Sequence, residues 1–204
     1  MRTFAICFSI LLWVILCTAA LAGSNIVVPG KSVGGIYLRE PASQATVPLG
    51  QPSDGDTAMG RSWGVWVSRN SHPPKQYALD VLTIRDDTGL HEFVEEVRVT
   101  SPWFITRQGV SVGSSFATVL KAFPCAQLTD PDTNPKLHQT VALYDDVKHG
   151  ILFEFEVGKR KCSPSTKCTA ILIHPKGRNA LDEYMPWYMK DDKGILRISH
   201  FCPR

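Results

Sequence analysis

Residues 35–49 and 109–123 line up without a gap at an offset of 74. Gly35-Ile36-Tyr37-Leu38 falls over Gly109-Val110-Ser111-Val112, Pro41 over Ser115, Ala45 over Val119 and Leu49 over Phe123. A supersecondary unit that occurs twice restricts the architecture before any single motif is weighed. The offset therefore predicts a core assembled from two copies of one small layer.

Each copy carries the same order of signals. In the first, Gly35 to Leu38 is extended, Pro41 stands at a first helical position, and Ala42, Ala45 and Leu49 follow at helical spacing until Pro48 interrupts them near Val47. Strand patterns come next at Trp63–Ser68, Tyr77–Arg85 and Glu92–Thr100, the last two joined by the turn Asp86-Asp87-Thr88-Gly89. In the second, Ser114 is the expected N-cap of a helix whose Phe116, Val119, Leu120 and Phe123 share one face. Its strands are expected at Thr140–Tyr144, Ile151–Val157 and Thr169–His174. The expectation is an α+β fold of two tandem units, each a short helix plus a three-stranded antiparallel sheet. The units span 23–104 and 105–176, and the tail 177–204 packs on the second. Ile151, Phe153, Phe155 and Val157 alternate with Leu152, Glu154 and Glu156, which predicts sheets covered on one side and wet on the other. Trp63, Val65 and Val67 are expected to face inward.

Residues 1–22 have the make-up of a signal peptide: a single charge at Arg2, an apolar run from Phe4 to Leu16, and Ala20-Leu21-Ala22 before Gly23. A retained anchor is the alternative, since the run approaches the roughly 20 residues that span a bilayer. Cleavage would place the chain in the periplasm or outside the cell, without membrane insertion. Leaving out Arg2, 21 basic side chains face 19 acidic ones, a balance that argues against strong nucleic-acid binding. Cys125, Cys162, Cys168 and Cys202 remain, an even number in an oxidising compartment, where disulfides are the default. Three pairings are open. Local closure favours a stapled loop from Cys162 through Pro164 to Cys168, which leaves Cys125 with Cys202. The thiols lack paired metal-ligand spacing, so neither a metal nor another cofactor is expected.

Two motif sets go further, Gly35-Ile36-x-Leu38 followed by Leu49-Gly50-Gln51-Pro52, and Thr106-x-x-Gly109-Val110-x-Val112-Gly113-Ser114 followed by Phe123. In tandem, in an exported chain of this size, they resemble the β-lactamase inhibitory protein architecture. A single unit resembles the SmpA/OmlA type of outer-membrane assembly lipoprotein. The resemblance implies a binding role through a sheet face or loops, with no catalytic centre. The chain departs from the pattern at Arg39, where glycine would be usual and stands at Gly113, and at Pro48.

Two constellations could carry function. Gly109-Val110-Ser111-Val112-Gly113 matches the G-x-S-x-G elbow, which would make Ser111 a nucleophile with His138, His149, His174 or His200 as its base. That elbow belongs to parallel sheets, whereas these strands alternate in hairpins. The second is an outward sheet face of Trp66, Glu96, Arg98, Glu154 and Glu156 with Tyr144 at its margin, a tryptophan ringed by charges in the manner of a binding hot spot. The chain therefore reads as a monomeric, non-catalytic exported binding module that engages another envelope or secreted protein through this face and the stapled loop, an inhibitor-like role being one form of it. The alternative is a serine hydrolase centred on Ser111.

Overall fold

The computed structural model describes residues 25–68, 76–129, 132–134, 139–157, 162–180, 188–190 and 196–198. Residues 1–24, Cys202, His138, His200 and most of the tail beyond Ala180 lie outside them.

Three short strands, β1 (Ile26–Val28), β2 (Ser32–Val33) and β3 (Ile36–Tyr37), lead into helix α1 (Ala42–Thr46). Pro48 has no N–H to continue that helix, and the chain tightens into a 3₁₀ turn at Val47–Leu49. Four long-range strands follow: β4 (Asp54–Ala58), β5 (Arg61–Val67), β6 (Ala78–Arg85) and β7 (Glu92–Val99). After β8 (Ile105–Thr106) comes helix α2 (Phe116–Ala122), then β9 (Gln127–Leu128), β10 (Asp132–Asn134), β11 (Gln139–Asp146), β12 (Ile151–Glu156) and β13 (Cys168–Ile173). β14 (Tyr188–Lys190) and β15 (Leu196–Ile198) form a separate two-stranded ribbon.

The expected α+β pair of helix-plus-three-strand units is not what forms. β7 pairs with β13 through Val97↔Ile173, Arg98↔Leu172 and Val99↔Ile171. All the longer strands thereby merge into one nine-stranded antiparallel sheet, in the order β10-β11-β12-β13-β7-β6-β5-β4 with β9 also beside β11. The chain is mainly β, and its helices are only five and seven residues long. A three-stranded sheet leaves two rows of unpaired backbone groups, and joining two such edges satisfies one row from each.

One face of this sheet packs on a layer made of α1, α2 and the small sheet β3-β2-β1-β8. Between them lies the main core, with Val81, Val97, Phe153, Phe155 and Ile171 from the large sheet against Val27, Val33, Ala45, Val119 and Phe123. A row of directly paired residues shows the continuity: Trp66, Leu79, Val99, Ile171, Phe153 and Tyr144 stand side by side across six strands. The other face is buried too. It carries one cluster of Trp63, Val65, Ala78 and Leu82 and another of Leu143, Leu152, Leu172 and Ala180. The expected wet face is thus absent, and Trp63 and Val65 point away from the main core instead of into it.

The loop from Cys162 to Cys168 is not stapled. Cys125, Cys162 and Cys168 are free thiols, and Cys168 is buried with its Sγ–H donating to the Ala170 carbonyl at 3.2 Å. Hydrogen bonds to the start of α2 hold the loop: Phe116 N–H donates to Thr166 O (2.8 Å) and Ala117 N–H to Pro164 O (3.1 Å). These carbonyls satisfy first-turn donors that no helical partner can reach. The N-cap is Ser115, one residue later than expected, whose Oγ accepts from Thr118 N–H.

Arg39 and Gly113, which share a place in the 74-residue alignment, both have left-handed backbones, with φ of 68° and 91°. For a residue with a Cβ this conformation costs about 1–2 kcal/mol. Arg39 places its guanidinium in a two-point pair with buried Glu95, at 2.8 and 2.9 Å. Arg39→Ala should therefore keep the strain and lose the pair, while Arg39→Gly loses the pair and relieves the strain. Urea unfolding should find the Gly variant more stable than the Ala variant by about 1 kcal/mol. For the cysteines, alkylation of the native protein should modify Cys125 and spare Cys168, whose thiol burial pushes up to about 12. Non-reduced peptide mapping should show no Cys162–Cys168 link.

Candidate functional site

The residues expected on one exposed face are divided between two. Trp66 and Tyr144 lie on the main-core side, where Tyr144 packs edge-on to Phe116 and Phe155 with ring centroids 4.7 and 5.7 Å away. Glu96, Arg98 and Glu154 lie on the opposite side, and all three are buried. Glu156, at the end of β12, is exposed. Alternation had correctly put Arg98 and Glu154 on a common face, but that face is interior.

Arg98 organises it. Its Nε and Nη2 donate to the two oxygens of Glu154 at 2.5 and 2.6 Å, and Nη1 donates to Asp80 Oδ2 at 2.9 Å. Asp80 is directly paired with Arg98 across β6 and β7. Glu154 is two strands away on β12, so the guanidinium reaches over β13, where the small Ala170 stands opposite Glu154. Burial pushes the Asp80 carboxyl up to about 7, with Glu154 adding to the rise and Arg98 opposing both. Asp80 Oδ1 has no hydrogen-bond partner among the described residues. The cluster is a structural brace with one carboxyl whose pKa is lifted by burial to about 7.

The G-x-S-x-G segment forms no elbow. Ser111 makes an isolated bridge with Ile105, and its N–H donates to Ser114 Oγ at 3.0 Å. Three described histidines are engaged by aspartates: His91 with Asp86 (2.9 Å), His149 with Asp146 (2.8 Å) and His174 with Asp145 (2.9 Å). The His174–Asp145 pair is fully buried, and Asp145 also accepts the Ala180 N–H at 3.1 Å. It has the second half of a catalytic triad but serves to fasten the chain after β13 onto β11.

What remains as a site is a cleft that sequence reasoning missed. It holds about 940 Å³ between the α1–3₁₀ segment and the near face of β4 and β5. The cause is a shortage of side chain. The strand residues facing it are Gly55, Thr57, Ser62, Gly64 and Thr83, and α1 is tied to β7 through Arg39 N–H to Val94 O (2.8 Å) and Val94 N–H to Glu40 O (3.0 Å) just before it begins. In the other half, Phe116, Tyr144, Phe153 and Phe155 fill the space between α2 and the strands.

Trp63, which also borders the cleft, packs into the cluster on the other face, while Trp66 lays an aromatic ring in the cleft. A methyl group on Gly64 would come within 2.6–2.8 Å of its ring, so the glycine allows the indole to lie down along its own strand. The indole N–H donates to Gly50 O at 3.0 Å, fixing the ring to the 3₁₀ turn. The same residue also lines a smaller cavity of about 250 Å³ with Tyr77, Leu79 and Phe104. Glu92 closes one end of the cleft, hydrogen-bonded by Thr83 Oγ1 and 3.7 Å from Arg85. The only sequence signal was the pair Gly64 and Trp66 in a strand whose glycine has no turn to make.

Asp80 yields a pH prediction. Unfolded, it loses its proton near 3.8, whereas in the fold it holds the proton to about 7. Between those values the native state binds one more proton, so stability declines as pH rises through the window. Asp80→Asn should flatten that decline, and urea midpoints of both proteins from pH 4 to pH 7 measure it. Parallel curves would remove the assignment.

No family model matches the chain, and no curated protein matches it. Among solved structures it is similar to the uncharacterized protein yfeY from Escherichia coli, at 14% identity and a TM-score of 0.45, over 72% of this chain and 98% of that one. A likeness of that degree carries no argument about what this chain does.

Proposed function

We propose that this chain is a non-catalytic exported binding module, and that its partner in the envelope or outside the cell is engaged at the Trp66 cleft. The observation that carries the reading is the cleft itself: about 940 Å³ of open space between the helical segment and the sheet, with a ring held in place at its wall. Its size falls in the about 300–1,000 Å³ range of ligand sites. Export is supported by the leader-like residues 1–22. A non-catalytic role is supported by the backbone at Ser111, which bridges to Ile105 and donates its N–H to Ser114 Oγ in place of a strand-to-helix elbow.

The reading moves the contact surface away from the sheet face first expected to bear it, because Glu96, Arg98 and Glu154 are interior. Affinity capture from the native envelope should be run with wild type, Trp66→Ala and Thr57→Trp. Thr57 is an exposed residue of the cleft wall, so the second variant fills the space without touching the core. Both variants should lose the captured partner while keeping the wild-type circular dichroism. Equal recovery by all three proteins would discard the cleft, and fluorophosphonate labelling that Ser111→Ala abolishes would discard the non-catalytic role.

A further inference from the structure

We infer that the Trp66 cleft takes a neutral saccharide, a short run of sugar rings laid against the indole. The inference rests on the proposed binding role and adds the chemistry of the ligand.

Three features of the lining point the same way. The first is the ring. Its polar N–H is already committed to Gly50 O, so what Trp66 offers a ligand is the π-surface alone. A flat apolar platform on a rigid strand suits the C–H face of a pyranose, which stacks on aromatic rings, and little side-chain freedom is lost on binding. The second is the hydroxyl content. Ser43, Thr57 and Ser62 line the cleft with the platform, and a hydroxyl can both donate and accept, while Thr46, whose Oγ1 donates to Ala42 O at 2.8 Å, adds an acceptor. Such groups match sugar hydroxyls, which also do both, better than they match a hydrocarbon.

The third feature is charge. Among the described residues the lining holds no lysine or arginine, and its cleft-facing carboxylate is Glu92, since Asp54 and Asp56 stand with Val65 and Trp63 on the opposite face of β4 and β5. A phosphate, sulfate or carboxylate ligand would enter without the cationic partner that such groups ordinarily require. Glu92 is itself held by Thr83 and Arg85. That pairing lowers its pull on a cationic ligand and leaves a lone pair that can accept from a sugar hydroxyl. The cleft is open to solvent, and its volume of about 940 Å³ has room for more than one sugar ring.

The test is an oligosaccharide array of neutral, anionic and amine-bearing members, followed by calorimetric titration with chitotetraose, cellotetraose and spermine. Wild type should retain one or more neutral oligosaccharides. Trp66→Ala and Thr57→Trp should each weaken that binding ten-fold or more, with the fold checked by circular dichroism. Absence of any neutral ligand from the array, neutral binding that survives both substitutions, or a cleft that takes only spermine would each overturn the inference. The binding role fails separately. If the envelope partner is lost in both cleft variants while every neutral saccharide is refused, the cleft keeps its role and only the ligand class is wrong.

Discussion

The ladder between β7 and β13 is the constraint from which the rest follows. Three paired residues on each strand convert two potential edges into the middle of one sheet. The joined sheet is also covered on both faces, by the main core on one and by the clusters around Leu82 and around Leu152 and Ala180 on the other, so a residue that would be wet on an isolated unit becomes interior. Arg98 sits in that ladder and cannot be left alone there, because an unpaired buried charge costs several kcal/mol. It is answered from both halves of the molecule, by Asp80 on β6 and by Glu154 on β12. The ion cluster therefore laces the seam that created the need for it. Such clusters add little net stability compared with an apolar replacement, but removing one partner is costly. Arg98 thus penalises any arrangement in which β7 and β13 part or slip, since a one-residue slip would turn it to the opposite face.

How far the fold could be read from sequence depends on what kind of information each element needs. Parity along a strand is local, and it was legible: Arg98 and Glu154 fall on one face, as do Phe153 and Phe155. Which face two distant strands share is set by register, and that is not local. Trp66 reaches the main core through the line from Leu79 to Val99 to Ile171, with β7 and β13 some 70 positions apart in the chain. Trp63 and Val65 were accordingly assigned to the wrong side. β4 was invisible because Asp54-Gly55-Asp56 has the composition of a turn, and only pairing with β5 makes it a strand. The cysteine bracket misled for a related reason. Spacing shows that a loop can be closed by sulfur, but the first-turn N–H groups of α2 close it instead.

The candidate site was less legible still, because it consists of what is missing. Gly55, Ser62, Gly64 and Thr83 read individually as unremarkable strand or turn residues. Their effect appears only when they stand beside each other under α1, which buries little beyond Ala45. The second half shows what the same layering does with large residues: Phe116 packs against Tyr144 and Phe155, and Phe123 against Phe153. A groove of this size leaves the side chains along it without packing partners on one side. The fold sustains it because the β7–β13 seam and the filled half supply the continuous core elsewhere.

The position of the cleft beside β4 raises the question of why a partner should enter it and not add a strand to the sheet. β4 is a terminal strand, and terminal strands are templates for pairing. This one is badly suited to the purpose. Its sequence, Asp54 to Ala58, is short and exposed, with two carboxylates that fold back onto the N–H groups of Gly55 and Thr57. An incoming strand would have to displace both bonds and bring its own backbone beside two negative charges. The glycine at position 55 adds to this, since its missing Cβ lies only 2.5 Å from the Trp63 carbonyl and shows how tightly β4 is drawn onto β5. A ligand in the cleft meets none of those obstacles, because it faces the hydroxyls and the indole on the inner side of the same strands. The chain has closed the edge and left the pocket open.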